Sequence, residues 1–399
     1  MTDPAGRRFL GLISGTSADG IDAAIIHLRD DTLTVEKTLA WIWQDDLGET
    51  LATALATPAA LTLPLLAELD GRLGDAFAAA ANTLLAQAAL GPADITAIGC
   101  HGQTVWHAPH GTPPMTLQVG DGARIAAATG ITVVNDFRRA DMAAGGEGAP
   151  LAPLLHAAVL THPERRRAIV NLGGIANVTL LANGNVQGFD TGPANVLMDG
   201  WARHTGTGAF DQDGLMARSG STDPGLLARC LADPYFQRQP PKSTGREYFN
   251  PAWLTAQLAA SDAALAPADV MATLAELTAV TVADAIEQGL AAVDEVILCG
   301  GGARNSYLSE RLAARLSSAT VLPSDRLGLD ADFVEASLFA WLAARRIDER
   351  CIDTRSITGA RTRILAGAVH RPCGDSNDRY GTGNDRPGHG HGHGHGHES

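Results

Sequence analysis

Short apolar segments separated by glycine-containing polar turns make up the beginning of this chain. Three of them predict β-strands, because their length and their flanking turn residues are typical of strands; they lie near residues 9–14, 22–28 and 33–43. The segment from Leu61 to Leu90 is rich in Ala and Leu and predicts a helix. We expect that helix to be interrupted around Gly71 and Gly74, because glycine is unfavourable inside helices.

The layout of the opening segment returns at Arg167. There an apolar run meets a glycine-containing turn, a second apolar run follows, and another turn leads into a third predicted strand. Short predicted strands at Ile95, Met115 and Ile131 stand between the two occurrences. The repetition is one of pattern and not of letters, and it predicts an internal duplication. With strands and helices alternating, we expect an α/β protein of two related lobes with a ligand-binding cleft between them.

These patterns divide the chain into three parts. Residues 1–140 are predicted to form an N-terminal lobe and residues 141–370 a C-terminal lobe, whose final segment can return to the first lobe. Residues 371–399 are rich in Gly and His and have no apolar periodicity, so we expect a disordered tail. Its alternating histidines can chelate metal adventitiously, but they have no fixed geometry and are assigned no catalytic role.

Composition and charge narrow the class of protein. With 399 residues, 45% hydrophobic and 19% charged, the chain is typical of a globular protein with a sizeable core. A net charge of -14 opposes binding to nucleic acid or to an anionic membrane, and no apolar run reaches the length of a membrane span. The five scattered cysteines form no CxxC pair, so neither a disulfide framework nor a zinc site is expected. We therefore expect a cytoplasmic protein.

Three glycine-containing turns are the first candidates for chemistry. The turn "GTSADG" offers backbone amides and hydroxyls to a phosphate, and Asp19 in it suits Mg²⁺ beside that phosphate. "NLGGIAN" has the same position in the second repeat, and "CGGGARN" joins a buried strand to a helix. Each alone is also consistent with an ordinary tight turn, but together they favour ATP held between two lobes. The candidate ATP-binding residues are Gly15, Thr16, Ser17, Ala18, Asp19, Gly20, Ile21, Asp22, Gly173, Gly174, Gly300, Gly301, Gly302 and Asn305.

Two carboxylates are candidate catalytic residues. Asp190 in "GFDTGP" is predicted to end a strand and to point into the cleft, where it can act as a general base; helix capping is the alternative. Pro193 suits the first turn of the helix expected to follow. Glu335 lies in the first turns of an amphipathic helix, where it either lines the cleft or is an ordinary surface charge.

Candidate substrate contacts come from two further stretches. "HGQTVWHAPH" contains Gln103 and Thr104, whose side chains suit sugar hydroxyls, and its histidine spacing matches no zinc pattern. "NDFRRADMAAGGEGAPL" contains Arg138, which can pair with a substrate carboxylate, or can form a surface salt bridge instead.

Taken in order, these stretches resemble the anhydro-N-acetylmuramic acid kinase family. That family belongs to the sugar kinase, actin and heat-shock ATPase superfamily, so the resemblance implies an actin-like ATPase fold built on a ribonuclease H-like core. The matching stretches include "GLISGTSADGID", "CHGQTVWH", "VVNDFRRADMAAGGEGAPL", "NLGGIANVT", "GFDTGPANVLMD", "CGGGARN" and "FVEASLFAWLA". They extend from about Leu10 to Pro372. Ala18 and Ala194 depart mildly from the expected pattern.

The resemblance implies a specific reaction. ATP, with Mg²⁺, phosphorylates O6 of 1,6-anhydro-N-acetylmuramate while water opens the anhydro bridge at C1, which gives N-acetylmuramate 6-phosphate for peptidoglycan recycling. By motif, Asp190 is the base that activates the water and Glu335 is its partner in the cleft. The resemblance also implies a homodimer. A kinase of another sugar or small acid, and an actin-like or chaperone-type ATPase, are the alternatives; the latter expects a peptide-binding domain that the motifs do not provide.

Overall fold

The computed structural model describes residues 6–15, 18–30, 32–44, 46–57, 61–246, 248–260, 264–327, 330 and 332–372. The strands are β1 Arg7–Ser14, β2 Gly20–Arg29, β3 Thr32–Ile42, β4 Ala97–Ala108, β5 Met115–Val119, β6 Val133–Asn135, β7 Arg167–Leu172, β8 Ile175–Ala182, β9 Asn185–Pro193, β10 Glu295–Cys299, β11 Thr320–Pro323 and β12 Ala368–His370. The α-helices are α1 Leu47–Ala56, α2 Leu63–Gln87, α3 Gly122–Thr129, α4 Arg139–Ala143, α5 Ala152–Leu160, α6 Asn195–Thr205, α7 Leu215–Ser219, α8 Pro224–Leu231, α9 Pro251–Ala259, α10 Pro267–Gly289, α11 Ser306–Arg315 and α12 Val334–Ile347. From residue 373 onward, the predicted tail lies outside the described residues.

Two sheets share the same strand arrangement. In the first, β1, β2 and β3 form an antiparallel meander, β4 lies parallel to β1, and β6 lies parallel to β4. In the second, β7, β8 and β9 form the meander, β10 lies parallel to β7, and β11 lies parallel to β10. We call the units built on these sheets lobe I and lobe II. The repeated order confirms the predicted two-lobed, ribonuclease H-like α/β fold with a duplicated core.

Helices cover both faces of each sheet, which explains why the central strands are apolar on both sides. Phe9 and Leu10, adjacent in β1, are both fully buried because they face different cores. One core lies between the two sheets and contains α5 and α12, which pack against each other. Helices α2 and α3 close the outer face of lobe I, and α10 packs on the outer face of lobe II.

Two glycines let α12 approach the sheet of lobe I with no side chain between them. A Cβ at Gly11 in β1 would overlap the carbonyl of Ala336, and one at Gly99 in β4 would overlap the carbonyl of Phe339. Real Cβ atoms keep at least 3.0 Å from such neighbours, so neither position accommodates a larger residue without displacement of the helix. This contact places the N-terminal end of α12 beside the first β-hairpin.

Several local expectations differ from the structure. Helix α2 is continuous through Gly71 and Gly74, and a Cβ at Gly74 would lie 3.1 Å from the carbonyl oxygen of Asp121. The glycine therefore serves the close approach of α3 and does not interrupt the helix. Pro193 ends β9, and α6 begins only at Asn195. Near the end of the chain, β12 pairs with β6 and α12 packs on β1, so both belong to lobe I.

Candidate active site

The first predicted phosphate-binding turn connects β1 to β2. Within it, Ala18 has a positive φ of 54° and its amide donates to the Gly15 carbonyl at 3.1 Å, which closes the turn tightly. The Trp43 indole donates to the carbonyl of Ala18 at 2.8 Å and fixes the turn from the side of β3. Thr16 and Ser17 lie outside the described residues. The remaining positions, Gly20, Ile21 and Asp22, belong to β2.

Carboxylates are concentrated beside this hairpin. Burial, followed by the charges of Asp19 and Glu335, raises the pKa of Asp22 to about 7. The more distant charges of Asp332 and Asp330 act in the same direction. Asp22 therefore sits in a strongly negative region that favours either a proton or a cation.

Glu335 lies in the first turn of α12, next to the Ala336 carbonyl that rests on Gly11. Solvent reaches its side chain although protein surrounds it on most sides. Burial raises the pKa of Glu335, while the Arg138 guanidinium acts in the opposite direction. The structure thus brings Glu335, Asp22 and Arg138 into one electrostatic neighbourhood.

Arg138 is held by two neutral acceptors. Its Nε donates to Nε2 of His101 at 2.8 Å and its Nη1 donates to the Gly148 carbonyl at 2.8 Å. Burial and the Arg138 charge lower the pKa of His101 well below its usual range, so its ring is neutral, and its Nδ1 donates to the Gly102 carbonyl. Arg139, by contrast, pairs at the surface with Asp136. The arginine pair therefore divides into one half-buried residue near Glu335 and one surface ion pair.

Gln103 and Thr104 take different positions on β4. Gln103 is buried, and its Oε1 accepts from the Ser14 hydroxyl at 2.6 Å, so it ties the end of β1 to β4. Thr104 is partly exposed and accepts a hydrogen bond from Gln118 at 3.1 Å. Gln103 thus supports the first turn, and Thr104 belongs to a polar network on the β4–β5 hairpin.

The second and third turns pack against each other in lobe II. The carbonyls of Gly173 and Gly174 accept hydrogen bonds from the first amides of α6. A Cβ at Gly302 would lie 2.8 Å from the Leu172 carbonyl, whereas Gly301 faces open space. Gly300 has a φ of 76° and Asn305 caps α11 by accepting from the Leu308 amide at 3.0 Å. Two of the predicted ATP-binding turns are therefore adjacent.

Asp190 lies inside β9 and not at its end, opposite Asn177 of β8 and next to a bulge in the pairing. The prediction that it ends a strand was wrong, because the strand continues through the Thr191-Gly192-Pro193 stretch. One carboxylate oxygen, Oδ2, accepts from the Thr244 amide at 3.0 Å, and the Asp190 amide donates to the Lys242 carbonyl at 3.1 Å. The Tyr235 hydroxyl donates to the Asp190 carbonyl at 2.8 Å. Backbone and side chain of Asp190 are both held in place, and it caps no helix.

Sequence reasoning missed a residue that links the lobes. The Ser243 hydroxyl donates to Glu147 at 2.7 Å, and His110 on the β4–β5 hairpin approaches the same carboxylate at 3.9 Å. Glu147 lies between two glycines in "GGEGAP", a context that signalled a turn and not a contact. The segment 242–244 contacts both Asp190 and Glu147.

Metal and membrane features are limited in the part of the chain that the structure describes. There, no three His, Cys, Asp or Glu side chains are arranged to hold a metal ion by themselves. Similarly, no helix within the described ranges combines the length and the apolar character needed to cross a membrane.

A model of the anhydro-N-acetylmuramic acid kinase family matches residues 7–372, nearly the whole folded chain. The chain belongs to the anhydro-N-acetylmuramic acid kinase family. It is 50% identical over 369 residues to the anhydro-N-acetylmuramic acid kinase of Xanthomonas axonopodis pv. citri, covering 91% of this chain and 97% of that protein. It is 48% identical over 366 residues to the protein of the same name from Xylella fastidiosa, covering 91% and 96%.

Membership of the anhydro-N-acetylmuramic acid kinase family confirms the resemblance noted from the motifs, and it makes this protein a sugar kinase. Solved structures give more distant likenesses. The (R)-2-hydroxyglutaryl-CoA dehydratase component A of Acidaminococcus fermentans superposes with a TM-score of 0.44 at 14% identity, covering 85% of this chain and 99% of that chain. A ROK hexokinase from Thermus thermophilus gives a TM-score of 0.37 at 17% identity, covering 84% and 99%.

Proposed function

We propose that this protein transfers the γ-phosphoryl group of ATP to O6 of 1,6-anhydro-N-acetylmuramate while water adds at C1 and opens the anhydro bridge. The product, N-acetylmuramate 6-phosphate, contains the substrate's atoms plus one phosphoryl group and one water. The observation that carries the proposal is the family match across residues 7–372, and it is supported by two lobes that each contain a glycine-containing hairpin turn.

Asp190 is the proposed general base. The Thr244 amide and the Lys242 carbonyl fix its position, and a carboxylate held this way can accept a proton from the attacking water without reorganisation. The proton from the water passes to the Asp190 carboxylate, and the bridge oxygen released at C1 becomes the O6 that takes the phosphoryl group. Arg138, buried beside neutral His101, supplies a positive charge for the substrate carboxylate or a transferring phosphate.

The ATP site is proposed between the two hairpins. The turn from Gly15 to Asp22 is proposed to grip the phosphates, and Gly300 to Gly302, with Gly301 open to solvent, are proposed to lie toward the adenosine. Phosphoryl transfer depends chiefly on such positioning and on neutralisation of charge. Asn305 is occupied as a helix cap, so its proposed part is to shape the third turn.

Mg²⁺ fits the carboxylates beside the first turn. This ion binds proteins through one or two carboxylates and completes its shell with water and phosphate oxygens, so a cage of three protein ligands is not needed. Asp19 and Asp22 are the residues proposed to hold it, and the pKa of Asp22, raised to about 7, shows a site that is short of positive charge. When bound, the ion would neutralise charge on the β- and γ-phosphates.

Mass spectrometry tests the reaction directly. Purified protein with ATP, Mg²⁺ and 1,6-anhydro-N-acetylmuramate in ¹⁸O water should give a product heavier by one phosphoryl group and one labelled water, with the label at C1. No turnover of this sugar, together with turnover of an ordinary hexose, would contradict the proposal.

The variant Asp190→Asn tests the base. Turnover should fall by about 10²- to 10⁴-fold, the usual worth of a general base, with ATP affinity unchanged by calorimetry. Asp199→Asn is the matched control, because Asp199 is another half-buried carboxylate of the same segment that the proposal leaves outside the reaction. Full activity of Asp190→Asn would refute the assignment.

Two properties of the molecule in solution belong to the same proposal. We expect a homodimer, as the resemblance implies, and light scattering measures it. A cytoplasmic location agrees with cysteines that remain free thiols and with a substrate produced during cell-wall turnover; Cys100, Cys230 and Cys299 are buried as thiols.

A further inference from the structure

A cavity of about 310 Å³ lies behind β9, on the face opposite to Asp190. Side chains alternate between the two faces of a strand, so Gln187, Phe189 and Thr191 line the cavity while Asp190 points the other way. The C-terminal half of α10 and the segment from Leu231 to Lys242 form the other walls. This volume is at the lower end of the range for small-molecule sites.

Two cations line this cavity, and no carboxylate that the structure describes forms an ion pair with either of them. Lys242 and Arg238 both line it, and neither side chain forms an ion pair or a hydrogen bond with any residue that the structure describes. The Lys242 ammonium lies 4.9 Å from the ring centre of Tyr235, and the Arg238 guanidinium lies 5.9 Å from the same ring. Burial, and then the Arg238 charge, lower the pKa of Lys242, while the Asp190 charge acts in the opposite direction. Two like charges beside one ring are unfavourable unless an anion joins them.

The rest of the lining is polar in a way that suits hydroxyl groups. Four glutamines surround the space, and no hydrogen bond of their amide groups to another described residue is present; they are Gln187, Gln237, Gln239 and Gln288. Asp284 also lines the cavity and can accept a hydrogen bond from a ligand hydroxyl. The aromatic rings of Phe189 and Phe236 provide the apolar part of the surface.

We propose that this cavity is a second ligand site, separate from the catalytic cleft, for a small organic anion that carries several hydroxyl groups, such as a sugar phosphate. Arg238 and Lys242 bind the anionic group, and the glutamine amides bind the hydroxyls.

Occupation of the site would act on Asp190 through the backbone. The Lys242 carbonyl accepts the hydrogen bond of the Asp190 amide, and two residues later the Thr244 amide donates to the Asp190 carboxylate. A ligand that draws Lys242 toward the cavity therefore shifts the strand from behind. This effect on turnover rests on the proposed function, whereas binding at the cavity does not.

The chain offers an unusually clean binding assay, because it contains two lysines, Lys37 and Lys242. Reductive ¹³C-methylation keeps their charge and gives one NMR signal for each lysine and one for the α-amino group, and the variants Lys37→Arg and Lys242→Arg assign the two lysine signals. Titration with glucose 6-phosphate should move the Lys242 signal to saturation and leave Lys37, on β3 of lobe I, unchanged. Glucose, the neutral control, should move neither. A Lys242 signal that stays in place at saturating sugar phosphate overturns the proposal.

Two variants establish that the probe occupies the cavity and not the cleft. Gln288→Glu places a carboxylate on the exposed wall formed by α10, and it should weaken the affinity at least tenfold. Arg238→Gln should weaken it similarly. Gln257→Glu on α9, which adds the same charge elsewhere in lobe II, should leave the affinity unchanged. Wild-type affinity in Gln288→Glu would show that the probe binds elsewhere, and it would refute the assignment.

A turnover assay separates this inference from the proposed function. Glucose 6-phosphate at saturation should change the kcat of the wild-type protein, and the change should disappear in Gln288→Glu. Basal turnover should be the same in both proteins, because Gln288 is outside the proposed catalytic machinery. If turnover is normal and the Lys242 signal does not shift, the proposed second ligand site is wrong and the proposed function is not affected. If the Lys242 signal shifts as expected and no turnover is seen, the proposed function is wrong and the second ligand site is not affected.

Discussion

The contact between α12 and the sheet of lobe I gives a quantitative prediction for Gly11→Ala. Gly11 has ordinary strand dihedrals, so alanine adds no backbone strain, and the whole effect is steric. To bring the new Cβ to the 3.0 Å that real contacts keep from the Ala336 carbonyl, α12 must retreat by about 1 Å. Both contacting groups belong to the backbone of a strand or a helix, so neither can rotate away from the clash.

The cost should be near the upper end for overpacking, about 3 kcal/mol in the free energy of unfolding. Urea denaturation of purified protein measures it. Because Glu335 is next to Ala336, the same displacement moves its carboxylate, and a shift of about 1 Å can lower kcat by about 100-fold. Turnover at saturating substrates measures that second effect.

Gly71→Ala is the matched control. Gly71 lies inside α2 with no neighbour closer than 3.9 Å, so alanine should stabilise the protein by about 0.5 to 1 kcal/mol and leave turnover unchanged. If the free energy of unfolding of Gly11→Ala is within 0.5 kcal/mol of the wild-type value and its kcat is unchanged, then the direct contact of α12 with β1 does not position Glu335.

Two further predictions concern buried charges. Burial opposes ionisation of Glu276, but hydrogen bonds from Arg311 and Arg315 outweigh burial and lower the pKa of Glu276. The variant Glu276→Gln should therefore lose about 2 kcal/mol of stability at pH 7. This loss is smaller than that expected for a fully buried ion pair, because the two arginines are about one-third exposed. Since the stability from a lowered pKa is lost as the pH falls through the folded value, this difference should shrink below the ordinary pKa of 4.5 and vanish below the lowered folded pKa, and equal stabilities at pH 7 would contradict it. With the pKa of Asp22 raised to about 7, binding of Mg²⁺·ATP at pH 7 should release about half a proton, measured by calorimetry in buffers of different ionisation enthalpy. Asp22→Asn should abolish the release, and unchanged release would place the metal elsewhere.

Much of the fold was predictable because it depends on local pattern. The hairpins β1–β2 and β7–β8 were visible as apolar runs on either side of a glycine-containing turn, and their repetition correctly predicted two related lobes. The predicted interruption of α2 at Gly74 was wrong. The glycine is needed because the backbone of Asp121 lies close to it, and Asp121 is about fifty residues away in sequence.

The candidate site divides in the same way. Glu335 and Arg138 were proposed from their local contexts, yet each had an equally good reading as a surface charge. What separates Arg138 from Arg139 is a contact with His101, thirty-seven residues distant, and no local pattern contains it. Glu147 was missed for the same reason, since its partner Ser243 is ninety-six residues away. The sequence predicted the role of a residue where that role depends on its local context. It did not predict the role where contacts with residues distant in sequence determine it.

The direct contact of α12 with Gly11 and Gly99 also limits how α12 can move relative to lobe I. Because α12 contacts β1 and β4 through its own carbonyls, we expect Glu335 to keep its place relative to the sheet of lobe I. Asp190 belongs to a central segment of β9 and travels with lobe II. The distance between these two carboxylates therefore reports how the lobes move relative to each other, and a pair of spin labels on α12 and β9 would measure it.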